Sequence, residues 1–170
     1  MSVIIINPNS TVSMTEAMLA QARRAAPSQS FEGWTSHDGP PAIQGEKDGE
    51  TATEPLLKLV EKASKSGADG IIIGCFDDTA LDEAAAISDC PVVGIGQASY
   101  HYAALRKKRF SVVTTLSVSV PIIEDNIRGM GLTKFVSKVR ASEVPVLELE
   151  SDPKKASEII KLEALRAQNL

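Results

Sequence analysis

Short β-branched runs alternate along this chain with stretches of helical periodicity. Residues 3–6 form a continuous apolar run, the pattern of a strand covered on both faces. Ser10 or Thr11 can cap the helix that follows, whose apolar face is Met14, Ala17, Met18, Ala22 and Ala25 and whose end falls near Pro27. A short strand is expected at 31–35, then a loop rich in Gly, Pro and Asp over 36–49. Thr51 and Glu54 have capping-box spacing ahead of a helix bearing Leu56, Leu57, Val60 and Ala63, with Gly67 as its stop. Residues 70–74 read as the next buried strand, and Cys75 follows it directly. Asp78 or Thr79 is placed to cap a helix over 81–87. Strands are expected at 92–95 and 110–114, with a helix over 97–106 between them. Ser117 precedes a helix with Pro121 in its first turn. Residues 136–141 and 146–149 are weaker strand candidates, and a polar helix over 153–168 closes the pattern.

This alternation predicts an α/β fold, a mostly parallel sheet sandwiched by helices. Ligands of such sheets bind beyond the carboxyl ends of the strands. Three turns are therefore nominated: Asn7-Pro8-Asn9-Ser10, Cys75-Phe76-Asp77-Asp78 and Thr114-Thr115-Leu116-Ser117. The first and third look alike, each a β-branched strand leading through small polar residues into a helix. They suggest a duplicated architecture, with a first α/β half over 1–105 carrying Cys75 and a partial second half over 106–170.

Composition narrows the function. The 170 residues are 43% hydrophobic and 24% charged, an ordinary globular mixture with enough chain for one core. A net charge of −4 weighs against nucleic acid or an anionic membrane as partner. The short basic run Arg106-Lys107-Lys108-Arg109 is read as a helix C-terminus favoured by the helix dipole. No segment approaches the roughly 18 apolar residues of a membrane span, and the N-terminus lacks the basic region of a signal peptide. Asn9-Ser10-Thr11 matches a glycosylation sequon, but the absence of that signal makes it a chance match. Two cysteines without an export signal point to free thiols in a reducing cytoplasm. Gly94-Ile95-Gly96 opens like a dinucleotide fingerprint, but the third glycine and the acidic residue ending the next strand are absent, so NAD is set aside. The two His and two Cys are too scattered for a zinc site. His37 is read as a solvated loop histidine that could also reach a ligand, and His101 as a packing or surface residue.

Cys75 carries the candidate chemistry. Backbone N–H groups at a helix N-terminus would stabilise its thiolate, while Asp77 and Asp78 would favour the neutral thiol. Sequence leaves the net sign open, and a buried structural cysteine remains a reading of equal standing. A thiol titrating near neutral pH would suit proton transfer.

Four motifs in order, Ile6-Asn7-Pro8-Asn9-Ser10, Gly39-Pro40-Pro41-Ala42-Ile43-Gln44-Gly45, Gly74-Cys75-Phe76-Asp77-Asp78-Thr79 and Phe110-Ser111-Val112-Val113-Thr114-Thr115, resemble the hydantoin and allantoin racemases of the aspartate/glutamate racemase family. The resemblance runs from residue 1 to about 150. It implies a pseudo-duplicated, two-half fold and racemisation beside a carbonyl without pyridoxal phosphate, other cofactor or metal. One thiolate takes the α-proton from one face and a thiol on the other face returns one. It implies that Cys75 is the catalytic thiol of the first half, that Asn7, Pro8, Phe76, Asp77, Thr114 and Thr115 line the substrate pocket, and that the chain forms homo-oligomers around a small-molecule substrate. N–H groups after Cys75 and the threonine hydroxyls would hold developing negative charge. Strand propensity and helix capping account for the same threonines equally well.

The family's second cysteine, in a Gly-Cys turn on a later strand, has no counterpart here. Cys90 is an unsuitable replacement: it precedes a strand whose parallel neighbour ends at Cys75, and a five-residue strand spans roughly 16 Å. Three accounts stay open at this point. The chain is part of a longer racemase, another residue is the second acid, or the fold binds its ligand without racemising it. A single-thiol decarboxylase or lyase is a further alternative.

Overall fold

The computed structural model describes residues 2–106 and 109–168, so Lys107 and Lys108 of the basic run lie outside the described residues. By internal contacts the chain divides into two compact units, Met1–Ile43 with Lys47–Ala98 and Gln44–Glu46 with Ser99–Leu170.

In the first unit, β1 (Ser2–Asn7), β2 (Ser30–Thr35), β3 (Gly70–Ile73) and β4 (Val92–Gly94) form a fully parallel sheet in the order β2-β1-β3-β4. A central strand needs apolar side chains on both faces, and Ile4, Ile5 and Ile6 in β1 are all buried. The core around them is Leu56, Val60, Ala63, Ile71, Ile73, Leu81 and Ala84.

Helix α1 (Val12–Ala25) differs in two ways from its sequence expectation. It buries Thr15, with Met14, Met18, Leu19 and Ala22 half-buried, whereas Ala17 and Ala25 face solvent. Its N-cap residue Thr11 makes no side-chain cap bond, because its hydroxyl donates to the Pro41 carbonyl at 2.6 Å. Helix α2 (Glu46–Lys65) buries Ala52, Leu56, Val60 and Ala63 on one face. The Thr51–Glu54 capping box is overturned: α2 starts five residues earlier, directly after Gly45 at φ +90°, and runs through both positions with Pro55 inside. Thr51 instead donates to the Lys47 carbonyl one turn back. Gly67 ends the helix as expected, at φ +80°, with the Ala68 N–H bonded to the Ala63 carbonyl. Helix α3 (Leu81–Ile87) has the expected bounds, but its cap residue is the left-handed Ala80 and neither Asp78 nor Thr79 caps it. Helix α4 (Ile95–Leu105) begins immediately after β4.

In the second unit, β5 (Phe110–Thr114) and β6 (Val136–Ala141) pair in parallel, with α5 (Val120–Gly129) between them in sequence. A register shift at Phe110/Ser111 accommodates one extra residue in β6. Tyr100, almost fully buried, stacks on Phe110 with ring centroids 6.4 Å apart. The weak strand expected at 146–149 is overturned. Pro145 has no N–H for a ladder, Glu143 sits at φ 58°, and the segment turns into the short helix α6 (Glu148–Ser151). Helix α7 (Pro153–Gln168) is tied to β6 by Glu163, which accepts from Arg140 and Arg166. No helix among the described residues is long and apolar enough to cross a membrane.

Candidate active site

The parallel pairing of the first unit sets the carboxyl ends of β2, β1 and β3 side by side. Asn7 pairs with Thr35, Ile6 pairs with Ile73, and the Gly74 N–H donates to the Ile6 carbonyl at 2.8 Å. Asn7, Pro8, Cys75, Phe76 and Asp77 therefore share one sheet edge. Gly74 lets the Met18 side chain of α1 pack close, since a Cβ there would displace its sulfur.

The turn after β1 is held by its own side chains. The Asn7 amide, fully buried, donates to Asn9 Oδ1 at 2.9 Å, to the Thr11 carbonyl at 3.1 Å and to Thr15 Oγ1 at 3.1 Å. Its oxygen accepts the Asn9 N–H at 3.1 Å. Both ends of the amide are thus engaged within the turn, and its geometry makes Asn7 a brace. Pro8 is also fully buried, and the 36–41 loop packs on it: the Ser10 N–H bonds to the Pro40 carbonyl, and a Cβ at Gly39 would collide with the Pro8 carbonyl. Ser36, beyond β2, donates its N–H to the Asn7 carbonyl at 2.9 Å, while its buried hydroxyl has no hydrogen-bond partner among the described residues. His37 beside it is exposed.

Cys75 does not sit at a helix N-terminus. Five residues separate it from α3, in a loop where Asp78 and Ala80 both adopt φ 50°. The residue is half-buried and its Sγ lies 3.4 Å from the Thr79 hydroxyl. Desolvation pushes the thiol up to about 11, and the Asp77 charge adds to it. The hydrogen bonds from the Thr79 hydroxyl and from the Asp77 and Thr79 N–H groups oppose the rise without overcoming it. Burial therefore favours a neutral thiol as the resting group, above the near-neutral range that would suit proton transfer. Of the two neighbouring carboxylates only Asp77 acts on the sulfur. Asp78 turns away and accepts the N–H groups of Gly96 at 3.0 Å and Gln97 at 2.6 Å, in the first turn of α4. Burial nevertheless raises Asp78 to about 6, outweighing those two bonds. Sequence reasoning missed both Thr79 as the partner of the sulfur and Asp78 as the cap of α4. The signal for the latter was the Gly94-x-Gly96 pair, where side chains would collide with Asp78.

Cys90 is a free thiol like Cys75 and packs against the core of the first unit. It lies two residues before Val92, which pairs with Ile71, whereas Cys75 lies two residues after Ile73. Six residue levels of a strand, about 20 Å, separate the two.

Thr114 and Thr115 end β5 in the second unit. The Thr114 carbonyl accepts the Ser142 N–H at 2.9 Å and its hydroxyl at 3.1 Å, and the Thr115 carbonyl accepts the same hydroxyl at 3.3 Å. Ser142 follows β6 as Ser36 follows β2, so both β-α-β pieces close with a serine N–H on the last carbonyl of the first strand, and Ser142 adds its hydroxyl. Two cavities lie in this unit, one of about 390 Å³ between β5 and α7 and one of about 300 Å³ between β6 and α5; neither is lined by Thr114 or Thr115.

Residues 3–168 match the family described as Asp/Glu/Hydantoin racemase. The chain belongs to that family. A hydantoin racemase of Rhizobium meliloti is 37% identical over 172 residues, covering 99% of this chain and 71% of the relative. A solved allantoin racemase from Klebsiella pneumoniae superposes with a TM-score of 0.94 at 32% identity, covering 99% of this chain and 69% of that one. The chain thus spans about seven-tenths of both. A glutamate racemase from Campylobacter jejuni, with a TM-score of 0.61 at 18% identity, shares the fold of this racemase-family chain.

Proposed function

We propose that this racemase-family protein interconverts the enantiomers of a five-membered cyclic ureide, a 5-substituted hydantoin or allantoin, by proton transfer at the carbon beside the ring carbonyl. The observation that carries this reading is the Cys75 thiol at the carboxyl edge of a parallel sheet, 3.4 Å from a hydroxyl, in a chain 37% identical to a hydantoin racemase. Such a carbon is acidic because the carbonyl delocalises the carbanion, and a positioned thiol can give or take its proton without a cofactor. The neutral resting thiol makes Cys75 the group that returns a proton to the carbanion after a base on the opposite face has taken the α-proton, and the thiolate so formed is the base of the reverse direction. Pro8, Phe76 and Asp77 are the first unit's proposed substrate contacts, Asn7 braces their turn, and Thr114 and Thr115 are those the resemblance nominates in the second unit. A small-molecule substrate, no nucleic-acid or membrane partner, a homo-oligomeric assembly and a cytoplasmic setting belong to the same proposal.

The test incubates one enantiomer of a 5-substituted hydantoin, and separately of allantoin, in deuterated water. Decay of optical rotation with deuterium appearing at the α-carbon is expected. Cys75→Ser should abolish both, and Cys90→Ser should leave them within about twofold. Constant rotation with wild-type protein for both substrates removes the racemase reading. Because the resting thiol is protonated, a second reading is a single-thiol lyase or decarboxylase that protonates a carbanion. Carbon dioxide release from a substituted malonate, with no rotation change on hydantoins, would decide for it. Binding without exchange would leave a ligand-binding protein of the same fold.

A further inference from the structure

The Gly94-Ile95-Gly96 pair is left unexplained by the proposed reaction, and its surroundings account for it. A Cβ on Gly94 would strike Asp78 Oδ1 and come within 3.0 Å of Leu81. A Cβ on Gly96 would strike the Phe76 carbonyl and stand 2.7 Å from Asp78 Oδ2. The two glycines leave room for two groups of the cysteine loop, one on each side of Asp77. Into that room Asp78 sends a carboxylate that is itself buried and receives two N–H groups of α4. The loop is also bent where these contacts fall. Asp78 and Ala80 both lie in the left-handed region, which non-glycine side chains adopt only when surrounding contacts hold them there. The Asp78 N–H returns to the Cys75 carbonyl at 3.1 Å, and the Leu81 N–H to the Asp78 carbonyl at 3.1 Å. A continuous set of bonds thus runs from Cys75 through Asp78 to the first turn of α4.

We infer that Asp78 is a positioning residue: with Gly94 and Gly96 it clasps the loop over 75–80 to the first turn of α4 and so fixes where the Cys75 sulfur stands. The inference rests on Cys75 being the reacting thiol. With dinucleotide binding already set aside, the glycines have a steric role. It also assigns Asp78 a role that neither substrate contact nor the charge on the sulfur supplies, because both carboxylate oxygens are engaged with backbone N–H groups.

The experiment measures alkylation of Cys75 by iodoacetamide at pH 8, with Cys90 in the same molecule as internal reference and peptide mass spectrometry as readout. Loosening the clasp hydrates a sulfur that is otherwise desolvated, which lowers its pKa and speeds alkylation. Asp78→Ala and Gly96→Ala should raise the Cys75-to-Cys90 rate ratio about tenfold, the effect of a one-unit fall in thiol pKa. Asp78→Asn keeps the shape and one acceptor, and should raise the ratio about threefold. Gly129→Ala, where a Cβ meets nothing within 4 Å, should leave it unchanged. In turnover, Asp78→Asn should lower kcat with KM within about twofold. A ratio within twofold of wild type in folded Asp78→Asn and Gly96→Ala overturns the inference. So does equal acceleration of both cysteines, which is what general loosening produces. Hydrogen exchange on the wild-type protein needs no variant. The Gly96 and Gln97 amides should be protected at least tenfold, and unprotected exchange at both also overturns it. Alkylation uses no substrate, so the two readings fail separately. Response without racemisation keeps the clasp and drops the racemase, and racemisation with an unchanged ratio does the reverse.

Discussion

Cys75 shows how a single group answers to competing local fields. Its loop supplies two N–H groups and a hydroxyl, all of which favour the thiolate, yet desolvation and Asp77 together hold the proton on. The thiol is raised from its ordinary 9.0 to about 11, so the folded state keeps a proton that the unfolded chain loses near pH 9. Its contribution to stability is therefore complete below pH 9 and lost as the pH climbs through about 11. In a Cys90→Ser background, Cys75 alkylation should still be accelerating at pH 10 instead of reaching a plateau. Thermal melts of wild type and Cys75→Ser should diverge between pH 9 and 11, the wild type losing more. A plateau reached by pH 8 would show that the sulfur is hydrated. The position of Cys75 after a buried strand was legible from residue order alone. Its proton affinity was not, because burial and the direction of the Asp77 and Asp78 carboxylates depend on how the loop bends.

At the scale of elements, the six strands that form were read almost to the residue, since an apolar β-branched run has few alternatives to a buried strand, while the weakly patterned 146–149 was misread. Helix starts were read less well. Capping residues compete: Thr11 bonds to the 36–41 loop, Thr51 folds back on its own helix, and α4 is capped by Asp78 from a distant loop. Two glycines of the α2 region separate local from contextual reasons for that residue. Gly67 lies at φ +80°, so Gly67→Ala should destabilise by about 1 to 2 kcal/mol. Gly49 lies inside α2, with nothing within 4 Å of a Cβ, so Gly49→Ala should stabilise by about 0.5 to 1 kcal/mol. Urea denaturation of the two variants checks both signs. A stabilising Gly67→Ala would mean that the left-handed stop is not formed.

Across the whole molecule, the same closure recurs in both units. A strand, a helix and a parallel strand end with a serine N–H on the first strand's last carbonyl, Ser36 on Asn7 and Ser142 on Thr114. This likeness agrees with the resemblance of the Asn7 and Thr114 turns in the sequence. Ligand linkage tests the site without requiring turnover. If the proposed function holds, a 5-substituted hydantoin at about a hundred times its Kd should add about 2.7 kcal/mol to the unfolding free energy. On the proposed function, Cys75→Ser should keep that gain in calorimetry while losing deuterium exchange, because the substitution removes the reacting sulfur and changes little else in size. Loss of both together would mean that the sulfur binds the ligand instead of reacting with it.

Hydrophobic periodicity determined the order and type of nearly every element, because burying apolar faces leaves each segment one way to pair or pack. Residue order alone also set Cys75 at a strand's carboxyl end, and Cys90 at the opposite end of the neighbouring strand. Tertiary structure decided the rest: that 146–149 turns into a helix, that Asn7 spends its amide on its own turn, that Asp78 and not a local residue caps α4, and that the Cys75 thiol rests protonated. These outcomes depend on contacts between residues distant in sequence and on water excluded by them, and local pattern encodes neither.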